Sequence, residues 1–361
     1  MKSYCPSFLP LDEKLIRKEL FYEELIDATA KLEVYKEKLK DTKLDANWFL
    51  PTLQQKEALY SAKLEGTQAT LDGVLYNQIV PDDKNKDLQE IQNYFTASLE
   101  GYQYLKKFPI SQEFIKHLHK VILSGNVRGN KTDIGAYRKK QNYIGKIGLN
   151  KITYVPPEPE KVESLIENLI SYMNQPTDTL RPLVRCAVIH AQFETIHPFM
   201  DGNGRVGRIL IPLYLYMEHQ IDLPCFFISE ALERDKFKYY SLLNGTREEG
   251  KWGEWIQFFL KAVIKQCDKY IDMVKQINEL YDNHIALVKE LGSSSQIIDI
   301  INLLYQYPVM NSNIIKEKTN IPPATITRYL KGLTELGILY PDEKKRNTNY
   351  YYYDLLNIIN F

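Results

Sequence analysis

Apolar positions recur every three or four residues through most of this chain, and they set its architecture. In residues 11–39, "LDEKLIRKELFYEELIDATAKLEVYKEKL", that spacing predicts amphipathic helices. "PTLQQKEALYSAKLEG" predicts another over about 51–66, with Pro51 at its start and Gly66 just past its end. "DLQEIQNYFTASLEGYQYLKK" and "SQEFIKHLHKVIL" continue the period, the second with Ser111 placed as an N-cap. Residues 125–159 break it, being rich in Gly, Asn and Pro. Within them "YIGKIGLNKITYV" alternates as a short hairpin does, and Pro156-Pro157 end it. Helical spacing returns from Glu160 to about His284, and "LVRCAVIHAQFETI" is apolar enough to be buried all round. "KELGSSSQ" (289–296) reads as a linker, followed by helix, helix-turn-helix and a terminal hairpin, the order of a winged helix.

The pattern therefore predicts a mainly α protein in three parts. A helical N-terminal region covers 1–100, a helical core with a small β-hairpin covers 101–288, and a winged-helix domain covers 293–361. A length of 361 residues suits two or three cores. Lys plus Arg and Asp plus Glu are equal at 46 each, so no overall field steers the chain to nucleic acid or to a membrane. The four cysteines, Cys5, Cys186, Cys225 and Cys267, form no CxxC pair and point to neither a disulfide framework nor a zinc site. The start lacks the pattern of a signal peptide and no apolar run has the length of a membrane span, so a cytoplasmic location is expected.

Candidate chemistry concentrates in "HPFMDGNGRVGR", His197 to Arg208. The buried helix must stop before Pro198, which places His197 at a helix-to-loop break. Gly202 and Gly204 around Asn203 allow backbone N–H groups to turn inward as an anion nest, at the start of a new helix whose dipole favours negative charge. Arg205 and Arg208, three apart, share a helical face and can fork onto phosphates. Asp201 is a hard oxygen ligand of the kind Mg²⁺ takes alongside phosphate and water. His197, with an ordinary pKa near neutrality, can take the proton of an attacking hydroxyl. Together these residues describe a polyphosphate cradle with a metal and a base beside it.

The same twelve residues resemble the Fic motif, HPFx(D/E)GNGRxxR, and about residues 100–265 are similar to the Fic fold. The resemblance implies a protein adenylyltransferase (AMPylator) that moves AMP from ATP to Tyr, Thr or Ser hydroxyls of target proteins, its own included. It implies His197 as general base, Asp201 on Mg²⁺, Gly202, Asn203, Gly204 and Gly207 with the bound ATP, and Arg205 and Arg208 on its β and γ groups. Gly204 favours AMP transfer over the phosphate transfer of the related Doc kinases. The hairpin 142–155 resembles the Fic flap, a free edge for an extended segment of the protein substrate. Tyr239 or Tyr240, in "KYYSLLN", lies where the family packs adenine. His190 reads as structural, and His117 and His119, two apart, as no metal pair.

"SAKLEG" (61–66) places Ser61 and Glu65 on one helical face, with Glu65 near a C-terminus where the dipole disfavours a carboxylate unless a cation faces it. Arg208 is the candidate cation. The stretch resembles the inhibitory motif (S/T)xxxE(G/N) of self-inhibited Fic proteins, with Ser61, Glu65 and Gly66 in place. That resemblance implies that Glu65 denies Arg208 to the γ-phosphate, and it leaves room for AMP removal as the main activity. The resemblance also allows a homodimer.

Residues 293–361 carry seven Lys/Arg and six Asp/Glu, a weak charge for a DNA-binding unit. Thr325, Thr327 and Arg328 would face outward on a recognition-like helix, with Lys344, Lys345 and Arg346 at the wing. Protein contact stands slightly ahead of DNA contact for this unit. A nucleotide-sensing transcription regulator is the alternative from another class, and an intact His197 argues against it, because a sensor needs no base.

Overall fold

The helix read as buried all round, α8 (Pro182–Ile196), is buried at every position from Leu183 to Ile196. It is the axis of a mainly helical fold seen in a computed structural model, which describes residues 2–360 apart from 43, 80, 83, 130–132, 147–150, 290–294 and 345. After α1 (Glu13–Ile16) and α2 (Tyr22–Lys40) come α3 (Ala46–Leu64), α4 (Leu71–Asn77), α5 (Lys86–Leu105), α6 (Gln112–Ile122) and α7 (Pro159–Asn174). Beyond α8 lie α9 (Asn203–Met217), α10 (Ser229–Arg234), α11 (Lys236–Glu248) and α12 (Trp252–Val288). α8 packs against α7, α9, α11 and α12, which explains why it has no polar face. The long α12 runs along α2 and is tied to α8 by Trp255, whose indole N–H donates to the Ala187 carbonyl at 2.9 Å. Ser111 caps α6 as its sequence predicts, accepting from the Phe114 amide at 3.1 Å.

One expected helix start changes. α3 begins at Ala46, not at Pro51, so the proline lies inside the helix and leaves one carbonyl a turn earlier without its usual N–H. Its far end is as expected, because Gly66 is left-handed at φ 97°. The Gly66 amide bonds to Lys63 O and the Thr67 amide to Ala62 O, the pairing of a Schellman stop. α5 runs unbroken through residues 100 and 101. The expected linker falls mostly outside the described residues, as do the flap tip and Lys345 of the wing.

The flap strands β1 (Ile144–Lys146) and β2 (Lys151–Tyr154) pair antiparallel with an irregularity between Ile144 and Gly145. Beyond α12 the chain forms α13 (Ser295–Gln306), β3 (Val309–Met310), α14 (Ser312–Lys318), α15 (Pro323–Glu335), β4 (Tyr340–Pro341), β5 (Tyr350–Tyr351) and α16 (Tyr353–Asn360). The strands form one antiparallel sheet in the order β3-β5-β4. The sequence reading missed α16, whose apolar half is hidden behind a run of tyrosines. Among the described residues no helix is long and apolar enough to cross a membrane.

Candidate active site

His197 ends α8 in the left-handed region, at φ 50° and ψ 60°, an uncommon conformation for a residue with a side chain. Pro198 forbids another helical turn, and Arg138 fixes the break from outside. The Arg138 backbone amide donates to Pro198 O at 2.9 Å, its Nε to His197 O at 2.9 Å and its Nη2 to Pro157 O at 2.6 Å. No motif or spacing pointed to Arg138, which sits 59 residues upstream. Burial of the His197 ring, with Arg247 and Arg138 nearby, pushes its pKa down to about 3. The imidazole is therefore neutral at physiological pH and able to accept a proton.

The loop after it is built by side chains that look functional in one dimension. Asn203 accepts from the Phe199 amide at 2.8 Å and donates to the Phe199 carbonyl at 2.9 Å, so its amide group braces the loop. His119 stacks flat on Phe199 with ring centres 3.7 Å apart. Its Nδ1 accepts from the Gly135 amide at 2.9 Å, which puts the proton on Nε2, 3.1 Å from the Asp201 carbonyl. Gly202 caps α9 at φ 76°, a conformation that favours glycine. Its amide donates to Asp201 Oδ1 at 2.5 Å. The Asp201 side chain remains 46% exposed, open to a ligand arriving from solvent. Among the described residues no group of three or more His, Cys, Asp or Glu could hold a metal. One open carboxylate next to a phosphate cradle fits Mg²⁺ that arrives with the nucleotide.

Arg205 and Arg208 leave α9 on one side and meet different acids. Arg205 lies 3.4 Å from Asp201 and 3.7 Å from Glu90, a fully buried carboxylate on α5. Glu90 also takes Arg128 through two side-chain bonds of 2.8 and 2.7 Å, and Arg128 reaches Thr67 Oγ1 at 2.6 Å, just past the end of α3. Burial would raise the Glu90 pKa, and Arg128 and Arg205 together hold it below the ordinary carboxylate range. Arg208 is buried and faces α3. Its Nη2 donates to Glu65 Oε1 at 2.6 Å and to Ser61 O at 3.0 Å, and its Nε to Ser61 Oγ at 2.8 Å. Burial would raise Glu65 and Arg208 outweighs it, so the carboxylate is held charged. A Cβ on Gly204 would stand 2.3 Å from Glu65 Oε1, which shows that the carboxylate lies directly over the phosphate cradle.

Gly207, Tyr239 and Tyr240 lie on the α8 side of this cluster and beside it. A Cβ on Gly207 would stand 2.5 Å from Glu194 Oε1 and 3.1 Å from Phe193, so this glycine allows the close approach of α9 to α8. Tyr239 is buried and its hydroxyl lies 2.9 Å from His190 Nε2, while His190 Nδ1 lies 3.2 Å from the Gly207 carbonyl. His190 is thus bonded at both ring nitrogens inside the core, and the Tyr239 ring is buried with it. Tyr240 keeps an open face at 39% exposure, with its hydroxyl donating to Leu64 O at 3.2 Å. Gly207→Ala is expected to cost about 1–3 kcal/mol by overpacking, read as a lowered urea midpoint.

Acid sensitivity follows from the same imidazoles. Burial lowers His119 to about 4 and His190 and His197 to about 3. The unfolded chain protonates these rings from about pH 6.5 and the fold does not, so stability is present above that pH and declines below it. Glu194, pushed up to about 7 by burial, and Glu57, raised by burial, bind protons in the fold and offset part of the loss. Below about pH 4.5 the depressed Glu65 and Glu90 add to the decline. A urea midpoint that falls between pH 6.5 and 4, more steeply at the acid end, is expected; an unchanged midpoint contradicts the neutral assignments.

Residues 109–215 match the Fic/DOC family, and residues 22–103 match the family described as Fic/DOC family N-terminal. A probable protein adenylyltransferase of Aquifex aeolicus is 28% identical over 201 residues, 55% of this chain and 57% of that protein. A protein adenylyltransferase Fic of Drosophila sechellia is 27% identical over 233 residues, 60% of this chain and 43% of that protein. The chain thus spans about half the length of these curated relatives. The structure of a Fic family protein from Desulfovibrio desulfuricans G20 superposes with a TM-score of 0.59 at 17% identity, over 96% of this chain and 98% of that one.

Proposed function

We propose that this chain, which matches the Fic/DOC family over residues 109–215 and the Fic/DOC family N-terminal model over 22–103, is a self-inhibited protein adenylyltransferase. The observation that carries the reading is a neutral His197 at the mouth of an anion cradle whose Arg208 is taken by Glu65 at 2.6 Å. ATP enters with its phosphates over Gly202 and Gly204, against the free N–H groups at the start of α9. Asp201 would hold Mg²⁺ on those phosphates, and the ion would supply charge neutralisation. Tyr240 offers its open face to the adenine. His197 takes the proton of a target Tyr, Thr or Ser hydroxyl as its oxygen attacks the α-phosphorus. The bond to the bridging oxygen of the β-phosphate breaks, pyrophosphate leaves, and AMP stays on the target.

Glu65 opposes this by charge and by place. It occupies Arg208, the cation suited to the terminal phosphate, and it covers Gly204. ATP held without Arg208 presents its α-phosphorus off the line of attack, and misorientation of this kind is costly. The flap, anchored by the Tyr154 hydroxyl on Thr195 O at 2.7 Å, is read as the docking edge for the target's extended segment. Residues 295–360 are read as a winged helix with α15 as the recognition-like helix, on which Thr327 and Arg328 are exposed. ATP labelled at the α-phosphate is expected to label protein with release of unlabelled pyrophosphate. Label arriving only from the γ-phosphate would make the enzyme a kinase and sink the AMP-transfer reading.

A further inference from the structure

The inhibitory helix is held at both ends, and only one hold is in the active site. At its C-terminal end Ser61 and Glu65 bind Arg208. Two turns earlier, where α3 also packs on α5 and α10, two of its side chains bond to the last segment of the chain. Thr52 Oγ1 donates to the Tyr305 carbonyl at 3.0 Å, at the end of α13. Lys56 Nζ donates to the Ile359 carbonyl at 2.6 Å, in the last turn of α16. Lys56 is buried there at 4% side-chain exposure, with Glu230 of α10 at 3.3 Å as counter-charge. α13 packs along α3, and both α13 and α16 pack on α12.

The unit that makes these contacts is itself braced. Tyr352 donates to the Tyr305 hydroxyl at 3.2 Å, and His284 Nδ1 on α12 lies 2.8 Å from the Tyr352 hydroxyl. Lys344 on the wing reaches Tyr76 of α4 at 3.2 Å, so the unit also touches the chain beyond the inhibitory motif. Between Thr52 and Glu65 α3 is continuous helix to Leu64, roughly 20 Å at 1.5 Å per residue. Thr52, Lys56 and Ser61 therefore share one continuous helix with the residues that lead to the Glu65–Arg208 ion pair.

We propose that residues 295–360 are the input domain of the inhibition, clamping α3 at Thr52 and Lys56 so that Ser61 and Glu65 stay on Arg208. This rests on the reading of Glu65 as inhibitor. A partner that draws the C-terminal unit away from α3 thereby releases Arg208, and AMP transfer reports what that unit has bound.

The test measures AMP incorporation in the full chain carrying Thr52→Val and Lys56→Met together, with Glu65 intact and with Glu65→Gly, and follows each variant's thermal melt. Weakening the clamp should raise transfer about tenfold, a typical size for coupling between sites, when Glu65 is intact, and leave the Glu65→Gly rate unchanged. If the double substitution unfolds the chain, Thr52→Val alone gives the same comparison with a smaller gain. No gain in a folded variant, while Glu65→Gly does gain, overturns the coupling alone. An equal gain in both backgrounds also overturns it, since the contacts would then act elsewhere than through Glu65. If Glu65→Gly itself gains nothing, the inhibitor reading and the input domain fall together.

Discussion

Replacing Glu65 with glycine is expected to raise AMP incorporation about 100-fold over the unaltered chain, the size of effect that correct orientation of a reacting group brings. Two structural features give that direction. The substitution frees Arg208, which in this state has Glu65 and Ser61 as its side-chain partners, and it uncovers Gly204. It also costs α3 little, because Gly66 and the Schellman stop beyond it do not depend on the Glu65 side chain. ATP binding should change less than the rate, because the backbone cradle at Gly202 to Gly204 is already formed. A variant that binds ATP more tightly but transfers no faster would place Glu65 in the affinity of the site rather than in the orientation of its ligand.

The second large effect is a loss. His197→Ala in the Glu65→Gly background is expected to lower transfer at least 10²- to 10⁴-fold, the contribution of a positioned general base. ATP binding should survive, since the phosphates meet α9 and its arginines rather than the imidazole. The left-handed backbone at residue 197 is set by Pro198 and Arg138 and does not need the ring. The pH profile separates a base from a packing residue. With His197 held down to about 3 in the unliganded fold, the rate of the Glu65→Gly variant should show no loss of base between pH 8 and 6 of the kind an ordinary imidazole near 6.5 would give.

The sequence made legible what is contiguous. His197 to Arg208 form one helix break and one helix start, and composition and spacing placed both without the fold. Ser61 and Glu65 were legible for the same reason, being four apart on a single helix that a glycine must end. What sequence could not show is what folding brings together from afar. Glu90, Arg128 and Arg138 come from other elements and hold Arg205, the end of α3 and the His197 backbone, yet each is an ordinary charged residue in its own stretch. His119 was passed over because no spacing rule announces an imidazole that stacks on a phenylalanine 80 residues later. "KYYSLLN" left Tyr239 and Tyr240 as alternatives, since it does not say which tyrosine the core takes; the fold buries Tyr239 and leaves Tyr240 exposed. The bond from Lys56 on α3 to the Ile359 carbonyl on α16 joins residues 303 apart and left no trace in either segment.

The most direct measurement is intact mass spectrometry of three proteins after incubation with ATP and Mg²⁺: the unaltered chain, Glu65→Gly, and Glu65→Gly combined with His197→Ala. The predicted result is rapid gain of AMP by the single variant, slow gain by the unaltered chain, and none by the double variant. A target-bearing extract serves as acceptor if the chain does not modify itself. Equal gain by the unaltered chain and Glu65→Gly would contradict a guard at Glu65, and undiminished gain by the double variant would contradict a base at His197.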